Sequence, residues 1–212
     1  MSELFTIIYY TSNREDENFE KKINQKLLES CGDIPIISIS QKPIDLGKNI
    51  CIGEHQPSNA MLFRQLLTGC EDATTPFVIN AEADFLYCPE YFTFVPPKKD
   101  TIYRYANIRI LYKWHYGYLH KIQSEGAQIA GREYLISLLK ERLVGAPEDT
   151  RFNPYKHVPV AMFEGGNACV SFKTGDSLHK YVSVLRERSR PELPYWGKAE
   201  DLREEMFGFR ND

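Results

Sequence analysis

Two carboxylates one residue apart, Glu82 and Asp84, close the apolar run Phe77–Ala81. Acids so spaced can both turn towards one hard cation. Mg²⁺ or Mn²⁺ prefers oxygen ligands and shares them with substrate phosphates, where it neutralises charge on a departing diphosphate. The same triplet also fits a solvated strand end, so the spacing alone leaves both readings open. Upstream, Thr11-Ser12-Asn13-Arg14 follows the apolar run Leu4–Tyr10. Its hydroxyls and amide match the edge of a uracil, and Arg14 can grip a diphosphate with two parallel hydrogen bonds. The segment can equally cap a helix starting near Asp16. Glu125, in Lys121-Ile122-Gln123-Ser124-Glu125-Gly126, is a carboxylate that can accept a hydroxyl proton if held within reach, or simply a charge favourably placed at a helix N-terminus. Phe163-Glu164-Gly165-Gly166-Asn167 allows a close backbone approach at its glycines, and reads as a hairpin turn. His55, His115 and His120 lack metal-ligand spacing, and His157 and His179 lie near Glu164 only along the chain. With no GxSxG, P-loop or GxGxxG, the serine hydrolase, Walker NTPase and Rossmann readings have no motif behind them.

The elements that must position these residues read as α/β. Leu4–Tyr10 is a buried strand, Asp16–Ser30 a helix with Phe19, Ile23 and Leu27 on one face and Glu20, Lys21 and Lys22 off it, and Ile34–Ile39 a second strand. Strand–helix–strand is the unit of a parallel sheet. Gln41–Gln56 is loop with room for one short strand. Ser58 caps a helix reaching Asp72, with Leu62, Leu66 and Cys70 inward, and Thr74-Thr75-Pro76 stops it. Phe77–Ala81 is the third buried strand and delivers the acid pair to the carboxyl edge of the sheet, where open α/β folds bind ligands. Beyond Pro96-Pro97 the Tyr- and Ile-rich segment Thr101–Trp114 reads as strands of a mixed sheet. Gly126–Leu143 is expected to be helical, Val158–Phe172 to be strand–turn–strand, and Ser177–Arg186 a short helix; the charged, Pro-containing tail from Ser189 wraps over the body.

At 212 residues the chain suits one large domain: a nucleotide-binding half over 1–95 and an acceptor half with the tail over 96–212. A net charge of −3 advertises no global field for nucleic acid. Arg104, Arg109, Lys113, Lys121, Arg186, Arg188 and Arg190 read either as a local phosphate track or as ordinary surface charge. Five scattered cysteines without CxxC spacing read as reduced thiols of a cytoplasmic protein. Neither a leader peptide nor a transmembrane run is visible.

The stretch from Pro76 to Phe92, an apolar strand running into acid-x-acid and then a hydrophobic turn with Pro89, resembles the DxD region of GT-A glycosyltransferases. Tyr9–Asp16 together with Glu82–Phe94 is similar to small GT-A proteins of phages and microbes. The likeness runs over residues 4–140, with echoes at Gly165-Gly166-Asn167 and Pro194-Tyr195-Trp196-Gly197. It implies a mostly parallel or mixed sheet flanked by helices, and metal-dependent transfer of a sugar from a nucleotide diphosphate sugar, UDP-sugars favoured, to an acceptor hydroxyl. By the same resemblance, Asp84, with Glu82 where the pattern usually has Asp, holds Mn²⁺ or Mg²⁺, and Glu164 stands at the late position that often adds a ligand. Thr11, Ser12, Asn13, Arg14, Asn59 and Arg64 surround the nucleotide, and Glu125 stands where inverting members carry their base. The phage likeness makes a hydroxymethylated DNA base one acceptor class, alongside saccharides and other hydroxyl compounds, and host cytoplasm the location. Nucleotidyl transfer, which also uses paired acids and a metal, and a degenerate domain that only binds nucleotide are the competing readings.

Overall fold

The computed structural model describes residues 2–115, 117–148, 152–176 and 189–208. The helix expected over Ser177–Arg186, together with His179, Arg186 and Arg188, lies outside the described residues.

In chain order the elements are β1 (Phe5–Thr11), α1 (Glu17–Cys31), β2 (Ile36–Ser40), β3 (Lys48–Cys51), α2 (Asn59–Asp72), β4 (Phe77–Glu82) and β5 (Phe85–Leu86), followed by a 3-10 turn (Pro89–Phe92). The second half adds β6 (Ile102–Tyr105), β7 (Ile108–Tyr112), β8 (Leu119–Lys121), β9 (Gln128–Gly131), α3 (Arg132–Arg142), β10 (Val160–Phe163) and β11 (Cys169–Lys173). The tail forms a small ribbon of β12 (Glu192–Leu193) and β13 (Gly197–Lys198), then α4 (Ala199–Phe207).

Seven strands form the main sheet in the order β10-β6-β9-β4-β1-β2-β3. β9 runs antiparallel to both its neighbours while the remaining pairings are parallel. β1 and β4 are apolar along almost their whole length because helices cover both faces. Phe5, Ile7 and Tyr9 point into one core with Phe19, Ile23 and Leu27 of α1. Ile8 and Tyr10 point into the other, with Phe63 and Leu66 of α2 and Leu135 and Leu139 of α3. Asp16 caps α1 by accepting the amides of Asn18 and Phe19, and Ser58 caps α2 by accepting that of Met61. Glu20, read as lying off the inner face of α1, is in fact buried and accepts the Tyr9 hydroxyl at 3.0 Å.

A second sheet, β5-β11-β7-β8, stands on the α1 side. Two ribbons pass from one sheet to the other: β6 runs on into β7, and β10 into β11, side by side and parallel in both sheets. The Ala106 amide donates to Phe163 O and the Cys169 amide to Asn107 O where they cross. Hence 160–173 is not a hairpin; its two strands belong to different sheets, and Gly165-Gly166-Asn167 lies in the crossover. Phe19, Phe172 and Phe207 pack together where α1, the second sheet and α4 meet.

The helix expected from Gly126 begins only at Arg132. Gln128–Gly131 is a strand wedged between β4 and β6. Its four residues carry too few side chains for a period to decide between strand and helix, and pairing with two neighbours settles it. Gly131 is required at the join, since a Cβ there would stand 1.9 Å from the Lys99 carbonyl oxygen.

Candidate functional site

From β1 the chain crosses through α1 to β2 and β3 on one side, then returns through α2 to β4 on the other. The carboxyl ends of β1 and β4 therefore flank the point where the winding reverses, the place where open α/β sheets bind ligands. Thr11 and Glu82 end those strands, and Tyr10 is in register with Glu82.

The Glu82 carboxylate is held on two sides. The Tyr10 hydroxyl donates to its Oε1 at 2.9 Å, and Gly126 packs so closely behind it that a Cβ there would meet Oε2 at 2.3 Å. The Glu82 amide donates to the Tyr87 hydroxyl at 2.9 Å, which in turn donates to Gly126 O at 2.7 Å, so both chain segments share one clamp. Burial, reinforced by the charge of Asp84, pushes the Glu82 carboxyl up to about 7. Asp84 is anchored by its carbonyl, which accepts the Phe172 amide at 2.7 Å.

The second sheet brings two ammonium groups to these acids. Lys173 Nζ, at the end of β11, lies 3.6 Å from Asp84 Oδ2, with only 8% of the lysine side chain and 15% of the aspartate side chain exposed. Lys121, at the end of β8, donates to Ser124 Oγ at 2.9 Å and Ser171 Oγ at 3.3 Å, and its ammonium stands 5.5 Å from the Phe85 ring. Burial pushes the Lys121 ammonium below its usual range, against the opposing pull of Glu82 and Asp84. Glu15 joins from the loop after β1. Burial, then the charge of Asp84, pushes its carboxyl up to about 7, and its Oε2 is buried without a hydrogen-bond partner.

Glu125 lies on the loop running into β9, not at a helix start, which removes the helix-capping alternative. Its carbonyl accepts Asn80 Nδ2 at 3.0 Å and its carboxylate, 39% exposed, lies 3.5 Å from a buried Arg104 guanidinium. Arg104 is itself fixed by Gln128, Gln123 and the Tyr155 ring. The adjacent Gly126 touches Glu82, so the expected base and the acid pair share one wall.

The loop after β1 is largely self-supporting. Asn13 adopts a left-handed φ of 50°, and its Oδ1 accepts the amides of Gln41 and Lys42, while Thr11 Oγ1 accepts the Asn13 amide. Ser12 is half-buried and Arg14 exposed. Asn59 donates to Phe152 O, and Arg64 pairs with Glu148, which also accepts the Ser58 hydroxyl. Those two side chains are thus tied to the segment after α3 rather than to the acid pair. Glu164 is exposed at the end of β10, ahead of a crossover that packs on Glu90 and Tyr105. Of the basic residues expected to form an outer track, Arg104, Arg109 and Lys121 are buried.

Sequence reasoning missed Lys121 and Lys173 as partners of the acids, and Gly126 as the floor under Glu82. The lysines carried the same signal as Glu82, a charge ending an apolar run, but nothing along the chain says that these ends converge.

The donors available to a divalent ion are all hard carboxylate oxygens. Burial raises the Glu82 and Glu15 carboxyls, and Glu15 Oε2 is buried among them without a hydrogen-bond partner. Among the described residues no three acidic, His or Cys side chains converge to enclose an ion.

No protein-family model matches the chain, and no curated protein matches it in sequence. Among solved structures, it is similar to S. aureus TarS 1-349 in complex with UDP-GlcNAc, at 13% identity and a TM-score of 0.53, over 85% of this chain and 62% of that one. A second structure of TarS 1-349 matches with a TM-score of 0.51 at 13% identity, over 80% of this chain and 60% of that one. The chain thus spans about three fifths of the length of these two structures. Likeness at this identity concerns architecture alone: the chain has a GT-A-like α/β fold.

Proposed function

We propose that the chain transfers a sugar from a nucleotide diphosphate sugar, a UDP-sugar first, to an acceptor hydroxyl. The observation that carries this reading is the clamped acid pair at the sheet's reversal point, facing two buried lysines, in a GT-A fold. UDP-GlcNAc on TarS supports uridine as the first nucleotide to try. Residues 1–95 would bind the nucleotide, with Thr11, Ser12, Asn13 and Arg14 lining it and Arg14 reaching for the diphosphate. Residues 96–212 would present the acceptor.

Asp84, with Glu82 second, would hold Mn²⁺ or Mg²⁺, whose charge offsets that of the leaving diphosphate. Tyr10 and Gly126 fix where the Glu82 carboxylate points. Glu125 takes the proton of the acceptor hydroxyl as its oxygen bonds to the anomeric carbon and the bond to the diphosphate oxygen breaks. Arg104 holds Glu125 in place. One base activating one hydroxyl implies a single displacement and an inverted anomer. Burial of Arg104, Arg109 and Lys121 supports trying a saccharide or small hydroxyl compound as acceptor before a modified DNA base.

A thermal-shift panel of UDP, GDP, CMP and their sugars, with and without Mn²⁺, tests the reading. A nucleoside diphosphate or its sugar should raise the melting temperature, more so with Mn²⁺. No shift with any of them would reject a donor site.

A further inference from the structure

We propose that Lys173 is a resident counter-ion of Asp84 which turns to the donor's diphosphate on loading, with Lys121 as its second. This rests on the donor reading above and goes beyond it by naming the cations that recognise the diphosphate.

The geometry separates these lysines from ordinary surface charge. Both are buried, Lys121 at 8% and Lys173 at 6% exposure, and lysine is rarely buried without a partner. Both come from the second sheet, so neither is needed to close the strand order of the first. Ser171 ties them together: its hydroxyl receives Lys121, and it sits two residues before Lys173 on the same face of β11. The Lys173–Asp84 contact of 3.6 Å is an ion pair but longer than a hydrogen bond, and Lys121 is hydrogen-bonded to hydroxyls rather than to a carboxylate. An ammonium carries three donors, so each lysine can take a phosphate oxygen without first breaking a strong carboxylate bond.

Position makes Lys173 a competitor as well as a ligand. Any cation reaching Asp84 meets the ammonium already beside it and must push it aside. The group so displaced stands next to wherever a diphosphate bridges to that cation. The two roles predict effects of opposite sign when the charge is removed. Losing it should help a metal ion and harm a nucleoside diphosphate, whereas a lysine that only neutralises Asp84 would give the first effect without the second.

The test is titration calorimetry on the full chain with MnCl₂ alone, then with UDP and with GDP at saturating MnCl₂. For Lys173→Met, Mn²⁺ affinity should rise about tenfold as a like charge leaves. Nucleoside diphosphate affinity should fall about ten- to one-hundredfold, as for a lost charged hydrogen bond. Lys121→Met should show the second loss with little change in Mn²⁺ binding. If Lys173→Met does not fold, Lys173→Gln, which keeps an amide donor without the charge, gives the same reading. Loss of both affinities at Lys173, or of neither, overturns the proposal while leaving the donor reading intact. Wild-type protein that binds neither UDP nor GDP overturns both.

Discussion

Gly126→Ala adds one methyl group where the structure leaves no room for it. Gly126 does not need a positive φ, so the backbone tolerates the change and the whole effect comes from contact. The new Cβ would stand 2.3 Å from Glu82 Oε2 and 2.5 Å from Cδ. Non-bonded carbon contacts settle near ~3.5 Å, so the carboxylate must retreat by about 1 Å. It cannot retreat freely, because the Tyr10 hydroxyl holds Oε1 at 2.9 Å on the other side. Either that hydrogen bond stretches or the loop before β9 shifts and pulls Glu125 with it. Overpacking of this kind costs about 1–3 kcal/mol of stability, and a 1 Å misplacement at a reacting centre costs about 10²-fold in rate. Urea denaturation, Mn²⁺ calorimetry and transfer assays on the purified variant measure the three effects. Gly131→Ala is the control: its Cβ would strike the Lys99 carbonyl at 1.9 Å, at the far end of β9 from the acids. It should lose stability yet keep metal and donor affinity. If Gly126→Ala binds Mn²⁺ and nucleotide like the wild type, the position of Glu82 is irrelevant to the site.

Other substitutions separate the remaining roles. Glu125→Gln should leave donor and metal binding intact and lower transfer by roughly 10²–10⁴-fold; a retained product anomer would rule out Glu125 as the base. Arg14→Ala should weaken nucleoside diphosphate binding by about 1–3 kcal/mol, and unchanged calorimetry would return Arg14 to the solvated surface. Glu15 gives a pH signature. Its carboxyl moves from an ordinary 4.5 to about 7 on folding, so between these values the folded state holds more protons than the unfolded. Stability should therefore fall as pH rises from about 4.5 to 7 and level off above. Glu15→Gln should make that slope shallower, leaving the share that Glu82 contributes over the same range, and gain about 1–2 kcal/mol above pH 7, after discounting for partial exposure. Denaturation curves that keep the wild-type slope in the variant would contradict this assignment.

The first half of the fold was legible because its signals are local. Asp16 and Ser58 cap the helices they precede, Pro76 closes the second, and Phe77–Ala81 runs unbroken into Glu82. From Gly126 onwards local signals mislead. Ile129, Tyr134 and Leu135 suit a helical face, yet Ile129 is claimed by pairing on two sides. The strands at Val160 and Cys169 look like a hairpin because nothing local shows that each has a partner in a different sheet. The acid pair was readable as a motif, whereas Lys121, Lys173 and Gly126 enter the site only through the packing of one sheet on another. Cys88 and Cys169, far apart in sequence, face each other at 3.7 Å for the same reason.

The central claim is that Asp84 serves a nucleotide-sugar donor, and donor hydrolysis in the absence of acceptor tests it most directly. With Mn²⁺ present, wild-type protein should release the nucleoside diphosphate from one of the UDP- or GDP-sugars. Asp84→Asn, which keeps the shape but removes the charge, should release it at least ~100-fold more slowly with its melting temperature little changed. Equal release by Asp84→Asn and wild type would contradict the account.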